Sequence, residues 1–314
     1  MLKSLFRRFS MTFVMAAMGI LVVALMAMAN PAAAAAHAYR FTILDNQNDP
    51  TFNQLLGINN HGVIAGYFGS GVPASVHPNK GYTLSAPYGQ ANYKNENFPG
   101  STQTQVIAIN NHGNTAGFWA DPNGNNFGFI EWNGNFTSYS DPNTGTGTVN
   151  QLLGLNDNGM AVGFYTDANG NNHAYELNHK NGKFTELLPT NAVSAIATGI
   201  NDDGDVTGFL TTSTGTTVGF LLKDKTYTEF DFPNSTNTQA LGINKYDQIV
   251  GSYVDGAGQM HGFLLSSPLH HANWRSIDDP NGIGTTIVNG LNDKGNLVGF
   301  YVDAAGNTDG FLAK

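Results

Sequence analysis

One motif recurs six times along this chain. Each copy ends a short apolar stretch in Gly-Ile-Asn or a close variant. It continues through a polar turn into a second apolar stretch, and then through a turn that is often acidic into a third. A regular period indicates that each copy is one supersecondary unit and that the units stack or form a ring. The marker asparagines are spaced 51, 46, 45, 43 and 48 residues apart, at Asn59, Asn110, Asn156, Asn201, Asn244 and Asn292.

Each copy contains four predicted strands. In the fifth copy, residues 227–230 alternate apolar and polar side chains, which is typical of a half-buried strand. Three further stretches follow at residues 239–243, 248–254 and 261–265, with turn residues between them. Four short strands in a repeat of about 46 residues are typical of a propeller blade. The sequence therefore predicts an all-β fold, a six-bladed β-propeller.

The links between strands predict which strands pair. Asn-x-x-Gly turns such as residues 59–62 join the second and third strands; the Asn bonds its own backbone and the Gly supplies a positive φ. In the fifth copy Asp247 replaces this Gly, and aspartate tolerates the left-handed region. Asp-x-x-Gly turns join the third and fourth strands, and Asn-Gly turns lead to the first strand of the next copy. All three links predict tight hairpins.

The remaining link varies in length, so it marks the boundary between blades. Each blade then contains the last three strands of one copy and the first strand of the next, with the Gly-Ile-Asn strand innermost. The final copy lacks an outer strand, and we predict that residues 39–44 supply it and close the ring, which removes an exposed edge. An open solenoid of six stacked units is the alternative. The variable link contains a proline in every copy: Pro50, Pro99, Pro142, Pro189, Pro233 and Pro280.

The first 38 residues are predicted to be a secretory signal peptide. Lys3, Arg7 and Arg8 precede an apolar segment, and residues 36–38 read Ala-His-Ala, the small-residue pattern of a cleavage site. The apolar segment is also long enough to span a bilayer, so an uncleaved anchor is the alternative. Cleavage would leave residues 39–314 as one propeller domain, secreted to the extracellular space or the periplasm. We expect this domain to be monomeric and to have no membrane span.

The charge balance excludes some classes of partner. The chain has 14 Lys and Arg against 23 Asp and Glu. Three of the basic residues and none of the acidic ones lie in the signal segment, so residues 39–314 carry 11 basic and 23 acidic side chains, a net charge of −12. Nucleic acid is not expected as a partner, because phosphate contacts need a basic surface. The absence of cysteine excludes disulfide bonds and a thiol nucleophile.

The repeated pattern resembles the bacterial extracellular HAF-repeat family. The motif joins the Gly-Ile-Asn turn to a later stretch that reads His-Ala-Tyr at residues 173–175 and His-Gly-Phe at residues 261–263. The resemblance covers residues 39–314 and implies an exported bacterial β-repeat protein of unassigned biochemistry. Copies two, four and six have Phe127, Val218 and Asp309 in place of the histidine. A histidine chemistry shared by all six copies is therefore not expected.

Links in a ring of four-stranded blades alternate between two faces. The proline-containing links share one face with the Asp-x-x-Gly turns, and we call it the crossover face. We expect it to be strongly acidic and to bind a surface glycan or a protein partner, since propellers commonly bind ligands there by analogy of fold. The protein would then be a secreted binding module without catalytic activity. The candidate binding residues are Asp121, Asp141, Asp167, Asn169, Asp231, Asp255, Asp279 and Asp303.

Calcium is the cofactor that this pattern could hold. Asp167, Asn169 and Asn171 have the alternate-residue spacing of oxygen ligands in a calcium loop. The competing interpretation is that aspartate begins such turns because it caps them. An enzyme of another class, a calcium-dependent and lactonase-like propeller hydrolase, is the alternative function, and a structural matrix component is a third. No catalytic residue can be assigned from the sequence.

Overall fold

The computed structural model describes residues 39–145, 149–190, 192–268 and 271–314. They form six four-stranded antiparallel sheets arranged as a six-bladed β-propeller, which confirms the predicted fold. Tyr39–Lys314 is one compact unit. Gln90–Asn92 form a short 3-10 helix, and no helix in the described part is long and apolar enough to cross a membrane. The predicted signal peptide, residues 1–38, lies outside the described residues.

The first three blades follow the predicted order, with the Gly-Ile-Asn strand innermost. Blade 1 contains β2 (Asn53–Ile58), β3 (Ile64–Phe68), β4 (Lys80–Leu84) and β5 (Tyr93–Asn95). Blade 2 contains β6 (Gln103–Ile109), β7 (Thr115–Ala120), β8 (Asn126–Trp132) and β9 (Asn135–Tyr139). Blade 3 contains β10 (Asn150–Leu155), β11 (Met160–Thr166), β12 (Asn172–Asn178) and β13 (Lys183–Glu186).

The last three blades repeat this order, and the final one takes its outer strand from the start of the chain. Blade 4 contains β14 (Ala192–Ile200), β15 (Val206–Thr212), β16 (Thr217–Lys223) and β17 (Thr226–Phe230). Blade 5 contains β18 (Asn237–Ile243), β19 (Ile249–Val254), β20 (Met260–Ser266) and β21 (Asn273–Ile277). Blade 6 contains β22 (Thr286–Leu291), β23 (Leu297–Val302), β24 (Thr308–Ala313) and β1 (Phe41–Ile43).

The first strand closes the ring, as predicted. β1 pairs antiparallel with β24, so that Thr42 lies opposite Leu312. The Phe41 ring contacts the buried Phe311 ring edge to face, with 5.2 Å between centroids. Lys314 donates a backbone hydrogen bond to Arg40 at 3.1 Å and accepts one from it at 2.8 Å. The N-terminal strand therefore covers what would otherwise be an open edge of the last blade.

The inner strand of every blade carries a β-bulge before its C-terminal end. A bulge changes the direction in which a side chain points, compared with the regular alternation of a pleated strand. Here the six bulged side chains line the central channel and are only 4 to 7% exposed. They are Leu56, Ile107, Leu153, Thr198, Leu241 and Asn289.

A small residue follows each bulge, where neighbouring inner strands crowd around the axis. A Cβ added to Gly199 would lie 3.2 Å from the Cα of Gly242 in the next blade, and one added to Gly57 would lie 2.8 Å from the carbonyl oxygen of Ile107. Only a small residue fits there without a backbone shift. Gly and Ala at these positions let the inner strands approach one another. The six positions are Gly57, Ala108, Gly154, Gly199, Gly242 and Gly290.

The six marker asparagines form a closed ring of hydrogen bonds. Each side-chain oxygen caps its own turn, as in Asn59, whose Oδ1 accepts the N–H groups of His61 at 3.0 Å and Val63 at 2.9 Å. Each Nδ2 donates to the backbone oxygen of the marker asparagine in the next blade, at 3.0 to 3.3 Å. All six side chains are 3 to 5% exposed. Turn capping was predicted, whereas the ring between blades was not.

The apolar core lies between adjacent blades. One cluster, for example, packs Ala116 and Ile130 of blade 2 against Leu152, Tyr175 and Leu177 of blade 3. An isolated blade would leave the apolar faces of its sheet in contact with water. Each blade therefore needs its neighbours to bury those faces.

Candidate functional site

The strand topology places every predicted binding residue on the crossover face. The twelve links on that face contain no Lys or Arg in their described residues, whereas four lysines lie in links on the opposite face. The crossover face is therefore acidic, as expected from the sequence. Its links hold eleven carboxylates, Asp45, Asp49, Glu96, Asp121, Asp141, Asp167, Asp231, Asp255, Asp278, Asp279 and Asp303.

Four of the predicted aspartates cap their own hairpin turns. In Asp121, Oδ1 accepts the backbone N–H of Asn123 at 2.8 Å and of Asn125 at 2.9 Å. Asp167, Asp255 and Asp303 accept the N–H groups two and four residues later in the same way. These bonds favour the charged form, because a carboxylate that accepts several N–H groups is stabilised. One oxygen of each aspartate is thus engaged within its turn.

The predicted calcium loop adopts this capped turn. Hydrogen bonds from Asn171 and His173, with those from Asn169, hold the pKa of Asp167 well below its usual range. The second oxygen of Asp167 faces Asn171 Nδ2 at 3.5 Å and His173 Nε2 at 3.2 Å. Among the described residues, no group of three or more His, Asp or Glu side chains is arranged to hold a metal ion. Calcium binding at Asp167, Asn169 and Asn171 stays a prediction.

The three remaining aspartates lie in the links that cross between blades. Asp141 is 6% exposed and accepts the N–H of Asn143 at 2.8 Å. Asp279 is 2% exposed, and its Oδ1 accepts the N–H of Asn281 at 2.9 Å. The Oδ2 atom of Asp279 is buried and has no hydrogen-bond partner. Burial raises the pKa of Asp231, and a hydrogen bond with Thr238 opposes that effect.

Two histidines on this face are each held between two carboxylates. His173 lies 2.7 Å from Glu186 through Nδ1 and 3.2 Å from Asp167 through Nε2. His261 lies 2.9 Å from Asp278 and 3.4 Å from Asp255. An imidazole donates from both nitrogens only when it is protonated. In His261 the hydrogen bond with Asp278 outweighs burial and raises the pKa; in His173 the carboxylates outweigh a larger effect of burial and also raise it.

These bridges were not predicted from the sequence, although a signal for half of each was present. In both blades the histidine follows the turn aspartate by six residues, as Asp167 precedes His173. Two residues of an antiparallel hairpin that flank its turn lie close enough to interact. In each bridge the second carboxylate lies on the outer strand of the blade or in the link after it. Its position depends on the register between the third strand and the outer strand, and not on the hairpin that holds the histidine.

The crossover face also exposes aliphatic side chains. Seven large apolar side chains in the described residues are markedly exposed, and six of them lie in or beside links of this face. Isolated exposed apolar residues are common, but a concentration on one face is characteristic of an interaction surface. The six are Ile43 at 47%, Val72 at 68%, Val76 at 65%, Leu188 at 65%, Val193 at 54% and Ile283 at 60% exposed.

The three tryptophan rings pack against neighbouring side chains. Trp119 is sandwiched between Phe98 at 4.4 Å and Phe127 at 5.0 Å, so both faces of its ring are covered. Trp132 and Trp274 are partly buried against apolar clusters that join adjacent blades. The Trp119 ring therefore has no open face on which a sugar ring could stack.

A second group of carboxylates, which was not predicted as a site from the sequence, surrounds the channel mouth on the opposite face. Asp157, Asp202 and Asp293 lie one residue after the marker asparagines and line the channel, which has a cavity volume of about 130 Å³. Backbone N–H groups of neighbouring blades bind Asp157, Asp202 and Asp293. Lys245 lies 3.7 Å from Asp293. These bonds again connect blades to each other.

Comparison with solved structures identifies the fold class of this chain. It is similar to AofleA from Arthrobotrys oligospora, with 11% identity and a TM-score of 0.54 over 87% of this chain and 85% of that one. It is also similar to a protein assigned as TolB from Agrobacterium tumefaciens, with 12% identity and a TM-score of 0.56 over 84% and 90% of the two chains. A protein of unknown function from Dyadobacter fermentans has 12% identity and a TM-score of 0.54, over 89% and 100%.

At such low identity these similarities show the fold and nothing more. No family model matches the sequence, and no curated protein matches it either. The chain is a six-bladed propeller, and its function must be argued from its own surface.

Proposed function

We propose that this protein is a secreted, non-catalytic binding module that holds a protein partner on its crossover face. The proposal depends on one observation, the concentration of exposed aliphatic side chains among acidic links that contain no Lys or Arg in their described residues. Burial of apolar surface supplies the favourable free energy of association, and charge supplies specificity and steering. A partner with a basic surface around an apolar centre would complement this face.

The exposed side chains support a protein partner over a glycan. Sugar rings pack on open aromatic faces, whereas the exposed residues here are Val, Leu and Ile. The aromatic side chains on this face, such as Trp119, are covered by their own neighbours. Aliphatic contacts with a surrounding polar rim are the usual composition of protein interfaces. A surface glycan is the second candidate and is kept as an outcome of the test.

The test compares two faces of the same molecule. Residues 39–314 are immobilised and exposed to extracellular and envelope proteins of the source organism, and the retained protein is identified and its Kd measured. We expect the variant Leu188→Asp/Ile283→Asp to bind it at least tenfold more weakly. Both side chains are at least 60% exposed, so the changes should leave the melting temperature within a degree or two.

The matched control is Tyr246→Asp. Tyr246 is 60% exposed but lies in a turn of the opposite face. Tyr246→Asp removes one exposed apolar side chain and adds one negative charge, as Leu188→Asp and Ile283→Asp each do when made singly, and it should leave the affinity unchanged while each single variant weakens it. Equal losses in both variants, or binding to a glycan array that Leu188→Asp/Ile283→Asp does not weaken, would contradict the proposal.

A further inference from the structure

The same arrangement of side chains occurs at the crossover end of three blades. A tyrosine on the second strand of the sheet lies directly opposite one residue of the third strand, as Tyr253 lies opposite His261. A turn aspartate precedes that third-strand residue by six positions. We call this group the rim site. Its equivalents are Tyr165 and His173 in blade 3, and Tyr301 and Asp309 in blade 6.

In blades 3 and 5 the third-strand residue is a histidine between two carboxylates. His261 contacts the turn carboxylate of Asp255 and the outer carboxylate of Asp278. The imidazole ring stacks on Tyr253, with 5.1 Å between centroids. A protonated ring in this position neutralises one of the two negative charges and donates a hydrogen bond to each. Each of these histidines, when protonated, places a cation inside its rim site.

In blade 6 an acid takes the place of the histidine. Asp309 is 9% exposed and hydrogen-bonds with the hydroxyl of Tyr301. Asp303 is the turn carboxylate, and Asp45, which follows β1, corresponds to Asp278: it accepts the N–H of Gly310 at 3.0 Å. None of these three carboxylates has a Lys, Arg or His within 4 Å in the described part of the chain.

A fourth carboxylate makes the imbalance larger. Asp279 precedes the inner strand of the same blade and is 98% buried, since only 2% of it is exposed, and its Oδ2 has no hydrogen-bond partner. Burial is the main cause that raises the pKa of Asp309, and the charges of Asp303 and Asp279 add to it. Burial likewise raises the pKa of Asp45 to about 6, with a contribution from Asp309. The rim site of blade 6 therefore has more hydrogen-bond acceptors than donors. None of the described residues that form it is a positively charged donor.

We propose that the rim site of blade 6 binds a basic side chain, arginine or lysine, of the protein partner. This inference rests on the proposed function and names the contact that anchors it. The partner's cation would supply the charge that His173 and His261 supply in the sibling blades. A guanidinium group has five donors and can bridge several carboxylates. Ile283 is 60% exposed and lies in the same link as Asp279. There it would contact the apolar stem of the partner's arginine or lysine.

A basic side chain fits this site better than a metal ion. No three carboxylate or histidine groups in the described residues converge as metal ligands would. The four carboxylates reach the site from four different segments, which suits the wider fork of a guanidinium. The turn bonds of Asp303 to Ala305 and Asn307 also leave it fewer free lone pairs for a metal.

The test uses N-acetyl-L-arginine amide as the probe and residues 39–314 in EDTA at pH 7. The amide resonance of Gly310 is the local reporter, because this N–H donates to Asp45. We expect a saturable shift of that resonance with one site per chain. The variant Asp309→His installs the arrangement of blade 5, so it should weaken binding at least tenfold at pH 6 while melting no lower than the parent. Asp309→Asn is the isosteric second variant and should also weaken binding.

The sibling blade provides the reciprocal variant. His173→Asp gives blade 3 a third-strand carboxylate like that of blade 6, and Asp141 there, 6% exposed, corresponds to Asp279, so this variant should raise the stoichiometry of the probe from one to two. No saturable shift at Gly310, or an equal shift in Asp309→His, would overturn the inference. A shift produced by calcium and not by the arginine probe would overturn it as well.

Failure of this inference can be told apart from failure of the proposed function. If the probe does not bind, but capture of the partner depends on Leu188 and Ile283, only the proposal that the rim site of blade 6 binds a basic side chain is wrong. If substitutions on the crossover face leave partner capture unchanged, the proposed function is wrong. The proposed contact with a basic side chain of that partner then fails with it.

Discussion

Asn292 donates a hydrogen bond from Nδ2 to the backbone oxygen of Asn59 at 3.0 Å, although 233 residues separate them. The bond joins the inner strands of the last and first blades and completes the asparagine ring. In the same side chain, Oδ1 accepts the N–H groups of Lys294 and Asn296, each at 3.0 Å. One residue type thus shapes a hairpin and fastens it to the next blade.

The ring predicts a large stability cost for Asn292→Ala. The change leaves a buried backbone oxygen and two turn N–H groups without their partner, and each buried group left unpaired costs about 1–3 kcal/mol. We expect a loss of at least about 2 kcal/mol, measured by urea denaturation of residues 39–314. Lys294→Ala changes an exposed side chain in the same turn and should cost less than about 0.5 kcal/mol. Similar costs for the two variants would mean that the ring contributes little.

Turn geometry predicts the effect of Gly204→Val. Gly204 has φ of +89°, and an added Cβ would meet nothing within 4 Å, so the cost is one of backbone conformation alone. We expect a loss of about 1–2 kcal/mol. Asp247→Gly relieves a φ of +55° but removes the bond from Lys223 at 2.8 Å, so its effect should be close to zero. Unchanged melting temperatures in both variants would refute this account of the hairpins.

Ring closure predicts that the N-terminal strand stabilises the whole domain. Deletion of residues 39–44 should lower the melting temperature and speed hydrogen exchange in blade 6, since the edge of β24 and the side chain of Phe311 lose their cover. Phe41→Ala should show part of this effect. Ile43→Ser is the control, because Ile43 is 47% exposed. A deletion that melts like the parent would show that β1 does not fasten the ring.

The histidine bridges predict a pH-dependent stability. Contact with Asp278 raises the pKa of His261 in the folded state above its unfolded value of about 6.5. The stabilisation is therefore complete below that unfolded pKa and is lost as the pH rises through the folded pKa. His261→Gln should destabilise more at about pH 5.5 than at about pH 8.5, measured by urea denaturation. Asp278→Asn should reduce this dependence, and a cost that is equal at both pH values would contradict it.

Calcium binding at Asp167, Asn169 and Asn171 is tested by melting residues 39–314 in EDTA and across a calcium titration. A ligand that binds only the native state raises its stability by RT ln(1 + [L]/Kd). The calcium hypothesis expects a saturable rise that Asp167→Asn abolishes. No rise would leave turn capping as the function of this aspartate. A rise would also strengthen the alternative of a calcium-dependent hydrolase.

The local features of this propeller were predictable because they depend on neighbours in the sequence. The Asn59 and Asp121 turns, the left-handed Asp247 and the blade boundary at Pro233 all follow from residues a few positions apart. Because the unit repeats six times, each one must bury its apolar surface against the next. Even closure by β1 was predictable, since the final copy lacked one strand and an open edge is unfavourable.

The sequence by itself thus determined the blade, the number of blades, the closing strand and the acidity of the crossover face. Only the tertiary structure decided which charges meet. Glu186 reaches His173, and Asp45 joins Asp279 and Asp309, because the register of separate strand pairs and the close approach of blades bring them together. A one-residue slip of register would move these side chains to the other face of the sheet. No local pattern encodes that distance, so the rim sites and the asparagine ring became visible only in the folded ring.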